Sequence, residues 1–373
     1  MASRRWIVPW KDSLVKPVFY HCVSRVVDRK RVFGPDEKEK FRALMRMQEN
    51  FTGCRMVAYC LMSNHIHLLL EVPPLAEGGL TDAGLLERLR AIYGEAEVAG
   101  VAKELREARQ RVRDGLAQVS MVEAIHGRYT YRMHDLSEFM KTLMQRFTKW
   151  FNRTHSRTGN LWEDAFKSVI VEDGVAAKTI AAYIDLNPVR AGIVRDPALY
   201  RWSSYGEAIG GGPRGNGKKA RAGLVRALRA HQGIGADAAL WANDVAREYR
   251  LLLLAGAAER LDTRLGRDGR AETKRTRNGM GAAEVAREKE KAKEKAEPTG
   301  SQAAGAISLG NMLRCRVRYF TDGAVIGSRG FVNAAFAAAR ERFGPKRKDG
   351  ARKLRGGASA AAGVLWSLRD LRV

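Results

Sequence analysis

Apolar residues change their period several times along this chain, and each change predicts an element. Residues 18–27, VFYHCVSRVV, are dense in β-branched and aromatic types and predict a strand. From Pro35-Asp36 the spacing turns helical, with Phe41, Leu44, Met45 and Met47 on one side, as far as about residue 50. Residues 54–62 and 65–72 return to strand, joined by Ser63-Asn64, a natural tight-turn pair. Residues 75–135 are charged and rich in Ala and Glu. Their 3.6-residue period (Leu85, Leu86, Leu89, Ile92) predicts helices inserted into the fold rather than belonging to it. An amphipathic basic helix is predicted over 136–153, a strand over 161–171, and a helix over 175–187 that Pro188 cuts short.

The order strand–helix–strand–strand–helix–strand–helix implies an α+β class. Its economical form is a ferredoxin-like, mostly antiparallel sheet with helices on one face. Residues 1–205 would make that domain, with 75–135 as its helical insertion. Residues 206–266 read as a glycine-rich linker (IGGGPRGNGKK) and a small helical unit, and 267–300 as a charged tether, either a solvated helix or disordered. Residues 301–373 read as a small basic α+β module. In it RCRVRYF and AVIGS flank the hairpin dipeptide Asp322-Gly323, and a helix near 329–343 leads to the loop PKRKDGARKLRG. The longest apolar run, LLLLAGAA at 251–258, is too short for a bilayer, so no membrane association is expected.

Charge narrows the choice of partner. Lys and Arg number 66 against 41 Asp and Glu, a formal net charge of +25. Such an excess repels itself in a compact chain, and a polyanion relieves it. A merely soluble protein and one that binds anionic lipid remain open on charge alone. The four cysteines lack a CxxC spacing and the first residues lack an apolar stretch, which fits a reducing cytoplasm and no disulfide scaffold.

Two short motifs carry candidate chemistry. In NHIHLLLEV, His65 and His67 are two apart on a strand and project from one face, half of a divalent-metal site. In YIDLN, Tyr183 and Asn187 are four apart on a helix and share a face, a phenol beside a carboxamide. Each also has a plain reading, as half-exposed strand histidines or as an ordinary helix end.

Together with their surroundings these motifs resemble the IS200/IS605-like, single-tyrosine HUH transposases, most closely the branch associated with repetitive extragenic palindromes. The text that carries the resemblance is HCVSRVVDRKRVF (21–33), MVAYCLMSNHIHLLLEV (56–72), FNRTHSRTGNLWEDAFKSVIVED (151–173), YIDLNPVRAGIV (183–194) and YRWSSY (200–205). The resemblance implies an HUH nuclease core in which His65 and His67 bind Mg²⁺ or Mn²⁺, and Asn187 completes that site. It implies that Tyr183 attacks a scissile phosphate, and that the partner is single-stranded DNA bearing hairpins or palindromes, met by a monomer or homodimer. Two positions depart from the pattern: Asp185 stands where a histidine is expected, and Ala165 where an arginine is.

Candidate DNA contacts are Arg25 and Arg29 after the first strand, Arg146, Lys149 and Arg153 on the basic helix, and Lys167 and Arg190 beside the motifs. Trp162 is a candidate base-stacking residue, with core packing as its other reading. In the last module Arg314, Arg316 and Arg318 would share a strand face, continued by Lys346, Arg347, Lys348, Arg352, Lys353 and Arg355. The main rival function is a domesticated, non-catalytic protein that binds hairpin nucleic acid. A replication initiator or relaxase would need a second tyrosine or further domains, and a metallohydrolase another acidic ligand.

Overall fold

A computed structural model describes residues 17–74, 77–210, 217–241, 244–265, 271–294, 318–321, 323–354 and 365–368. β1 (Val18–Arg25) leads through a short 3-10 turn to α1 (Pro35–Thr52). Pro35 opens α1, the Glu37 carboxylate accepts from Gly34 N at 2.8 Å, and Gly53 ends the helix at φ 74°. β2 (Arg55–Leu61) and β3 (His65–Val72) follow as a hairpin. α2 (Asp82–Leu89), α3 (Glu95–Arg113) and α4 (Ser120–Thr130) form the predicted helical insertion. They close on a core of their own, Leu85, Leu89, Val98, Val101, Leu105, Val122 and Ile125, which reaches the main fold through Phe51. α5 (Leu136–Thr154), β4 (Lys167–Val171), α6 (Val175–Asp185) and the one-turn α7 (Asn187–Arg190) complete the expected series.

The central strands lie in the order β2-β3-β1-β4, all antiparallel, the ferredoxin-like arrangement anticipated from the sequence. Three features differ from expectation. First, helices cover both faces of the sheet. α1 and α5 pack on one, while α6, α8 (Ser204–Gly210), α9 (Gly217–Arg229) and α10 (Asp244–Ala257) pack on the other. The reason is visible in β1 and β2, whose residues are apolar on both sides (Val18, Phe19, Tyr20; Met56, Val57, Ala58) and need two covers. Gly223 lets α9 approach β2 closely, because a Cβ there would meet the Met56 carbonyl oxygen at 2.4 Å.

Second, a strand pair stands where none was expected: β5 (Arg260–Leu265) falls at the end of the expected helical unit and pairs with β6 (Ala271–Arg277) in the charged stretch, which continues as α11 (Ala282–Glu294), the solvated-helix alternative. Alternation such as Leu261, Thr263, Leu265 is the strand signal in β5.

Third, the described C-terminal residues add strands to the central sheet. Arg318–Thr321 is a helical turn, α12, and not the end of a strand; Arg314 and Arg316 lie outside the described residues, as does Arg355. β7 (Val325–Gly327) then pairs in parallel with β4, before α13 (Arg329–Ala338), β8 (Arg352–Lys353) and β9 (Trp366–Leu368). β4 would otherwise be an open edge. Its Ile170 N donates to Ala324 O at 2.8 Å, and Val325, Ile326 and Leu368 are fully buried. No described helix is long and apolar enough to cross a membrane.

Candidate active site

The site is set by strand alternation and register. On β3, His65, His67, Leu69 and Glu71 share a face; on β1, Phe19, His21, Val23 and Arg25 do. Antiparallel pairing places Val23 opposite His67 and Arg25 opposite His65. His21, one step along its strand face, therefore reaches His67 diagonally, Nε2 to Nδ1 at 3.1 Å, with the rings stacked at 5.3 Å between centroids. The other ring nitrogen of His21, Nδ1, donates to Phe320 O at 2.7 Å. His65 Nδ1 donates to Asn64 Oδ1 at 2.7 Å, and Asn64 Nδ2 in turn donates to Arg29 O. The His65 and His67 rings meet edge to face at 5.1 Å.

α6 lies over this face and brings Tyr183 down onto it. The Tyr183 ring is 5.8 Å from His67 and 6.0 Å from His21, both edge-on. Phe320 packs against it at 4.8 Å, and the Arg190 guanidinium lies 4.8 Å from its centre. Only 1% of Tyr183 is exposed. α6 ends at Asp185 rather than running on to Asn187, and Asn187, which opens α7, donates from Nδ2 to the backbone carbonyls of Tyr183 and Ile184 at 3.1 and 3.3 Å. That amide orientation leaves Oδ1 as the acceptor Asn187 can offer.

Burial pushes the imidazolium forms down. His21 and His65 are lowered to about 4, His65 with help from the nearby Arg25 charge. His67 is pushed well below its usual value by burial, then by its neighbours His21, His65, Arg25 and Arg190. All three are neutral at pH 7, the form in which imidazole ligates metals. Among the described residues no group of three His, Cys, Asp or Glu is placed to hold an ion. His65 and His67 are brought together on this face, and each could offer an imidazole nitrogen to a divalent ion, a donor type that suits Mn²⁺ better than Mg²⁺.

The predicted DNA-binding residues do not gather at one place. Arg25, Arg29 and Lys167 line one cleft of about 160 Å³, together with Ser24, Glu163, Asp164, Ala165 and Thr321, at the His65 end of the sheet. Arg190 stands at Tyr183. Arg146, Lys149 and Arg153 lie on α5, which covers the other face of the sheet. Trp162 is a correction. Its ring is buried among Phe33, Phe41 and Phe147, and its Nε1 donates to Thr148 Oγ1 at 2.9 Å, so it is packed core and not a platform for a base.

The departure at Asp185 is also explained. Two residues beyond Tyr183, it points away from the histidines into the helical layer. There it accepts from Tyr249 Oη at 2.6 Å and Tyr205 N at 2.9 Å, and burial raises its carboxyl to about 7. Sequence reasoning missed His21, Asn64 and Phe320. His21 had a usable signal, since it shares the alternation of β1 with Arg25; Phe320 had none.

Comparison with known proteins agrees with the family resemblance over the first part of the fold. Residues 15–77, which include His21, His65 and His67, match the family described as Transposase IS200 like. Three solved chains match this one. One of them, the structure of a REP-associated tyrosine transposase bound to a REP hairpin, is 11% identical, with a TM-score of 0.34. The match covers 56% of this chain and 86% of that one. No curated protein matches.

Proposed function

We propose that this protein is a transposase that cleaves and rejoins single-stranded DNA beside hairpin-forming palindromes, with Tyr183 as nucleophile. The observation that carries the reading is the convergence of His67 and Tyr183, 5.8 Å apart between ring centres, inside a chain whose residues 15–77 match IS200-like transposases.

His65 and His67, with Asn187 Oδ1, would hold a divalent ion, which supplies polarisation of the scissile phosphodiester. The protein's own groups do the rest. Tyr183 oxygen forms a bond to phosphorus while the bond from phosphorus to the 3′ oxygen breaks. The proton lost by the phenol is matched by the one the leaving 3′ oxygen takes up. The product is a 5′-phosphotyrosine and a free 3′-OH, and a second 3′-OH reverses the exchange without any nucleotide cofactor. Arg190 lies over the phenol ring, a cation beside the attacked phosphate, and the cleft of Arg25, Arg29 and Lys167 offers cations to the phosphates of the strand.

A second reading, a hairpin-binding protein that no longer cleaves, is favoured by one observation: Tyr183 is almost wholly covered by Phe320 and its neighbours. Incubation with a 3′-labelled, hairpin-bearing oligonucleotide and Mn²⁺ decides between them. The transposase reading requires label covalently bound to protein, lost in Tyr183→Phe and in EDTA. Tight binding with no covalent label and no cleaved strand would establish the second.

A further inference from the structure

We infer that His21 is a positioning residue whose hydrogen bond to the Phe320 carbonyl fixes the proton of His67 on Nδ1 and keeps its Nε2 lone pair bare. The inference rests on the reading of His67 as a metal ligand, and the hydrogen-bond chain itself supplies the argument. A carbonyl oxygen only accepts, so His21 Nδ1, 2.7 Å from Phe320 O, must carry a proton. His21 is 0% exposed, and its hydrogen-bond partners are a carbonyl and another imidazole, neither of them a counter-charge. A buried cation in that position is costly, so the ring is neutral and its Nε2 is an acceptor. The group 3.1 Å away, His67 Nδ1, must then donate. One proton remains on a neutral imidazole, so His67 Nε2 carries the lone pair.

The same logic acts on His65. Asn64 is turned by its donation to Arg29 O, so Asn64 Oδ1 faces His65 Nδ1 and leaves His65 Nε2 bare. Both histidines are thus presented through Nε2, one by a turn residue and one by a neighbouring strand. For His67 the anchor is Phe320, some 250 residues further along the chain. Its carbonyl makes the C-terminal segment part of the metal site without supplying a ligand.

The test begins with the metal-free protein. Long-range ¹H–¹⁵N spectra of the histidine rings, with the His67 signals assigned by their loss in His67→Ala, should show Nδ1 protonated and Nε2 bare. His67 in the opposite tautomer overturns the inference, whether or not any variant folds. His21→Phe keeps a ring but removes the acceptor. His67 should then shift toward the Nε2–H form, with Mn²⁺ affinity measured by calorimetry falling about 10- to 100-fold. His21→Gln restores an acceptor at the position of Nε2 and a donor toward Phe320 O, and should recover most of the loss. Unchanged Mn²⁺ affinity in a folded His21→Phe protein, or equal losses in Phe and Gln, rejects the positioning role. Wild-type protein with the inferred tautomer but no Mn²⁺ binding supports the relay and rejects the metal reading, so the two failures are distinguishable.

Discussion

Strands β1 and β3 present two faces of different character to the helices that cover them. Toward α1 and α5 they show Val18, Tyr20 and Cys22 with Ile66, Leu68 and Leu70, packed against Phe41, Phe147 and Trp162. Toward α6 and α9 the same strands show His21, His67 and Glu71 among Phe19 and Leu69, all buried. Each of those polar groups has a partner. His21 holds His67, and Glu71 accepts from Arg226 Nη2 at 2.6 Å and from Arg55 as well. One face contributes stability through apolar area, the other holds polar groups that no apolar neighbour can replace. A period of two lets one strand do both.

That division predicts which substitutions separate stability from chemistry. The largest effect is expected at His67→Ala, which should reduce DNA cleavage and Mn²⁺ binding to background while the far-ultraviolet dichroism keeps its native shape. Retained cleavage would show that chemistry does not reside on this face. On the opposite face, Phe147→Ala opens a void among Phe33, Phe41 and Trp162 and should cost about 3–5 kcal/mol in denaturant titration. The folded fraction should bind Mn²⁺ with wild-type affinity; weakened binding would blur the comparison.

A smaller loss, about 1–3 kcal/mol, is expected for Gly223→Ala, because its new methyl would meet the Met56 and Val57 carbonyl oxygens and backbone cannot yield as a side chain does.

The buried titratable groups give the α6 face its own pH dependence. His21 and His65 sit at about 4 against 6.5 in the unfolded chain. Between those values the unfolded state binds more protons, so stability rises with pH and their contribution is complete above 6.5. Asp185, raised from 3.8 to about 7, acts oppositely: the native state binds more protons there, and its contribution is lost as pH rises through about 7. In EDTA, the melting temperature of Asp185→Asn should therefore climb more steeply with pH between about 4 and 6.5 than that of the wild type. Parallel curves would remove Asp185 from the account. The smallest effect belongs to α5. Lys149→Gln, exposed on the far side of the sheet, should change cleavage by no more than about twofold, the usual scale of a surface substitution. A large loss there would extend the DNA path to both faces.

What the sequence made legible follows from range. His65 and His67 share a face by local alternation, so their juxtaposition could be read within a nine-residue window, as could the nearness of Asn187 to Tyr183 in sequence. The β2-β3-β1-β4 order followed from hairpin and crossover rules. Contacts between distant segments were not legible. The addition of β7 to β4 depends on an edge that only the folded sheet exposes, and Phe320 reaches Tyr183 from 137 residues away. His21 needed the register of β1 against β3 to be seen as a partner of His67. Trp162 was ambiguous because an indole can either stack on a base or fill a core, and the choice was made by a pocket of three phenylalanines and one threonine hydroxyl. At 267–300, charge hid a strand.

On the proposed function, the polar face does covalent chemistry through Tyr183. The most direct test is peptide mapping by mass spectrometry after reaction of the full chain with hairpin-bearing single-stranded DNA and Mn²⁺. A nucleotide-phosphate adduct is expected on the peptide containing Tyr183, absent from Tyr183→Phe and from reactions in EDTA. An adduct on another residue, or strand cleavage that persists in Tyr183→Phe, would contradict it.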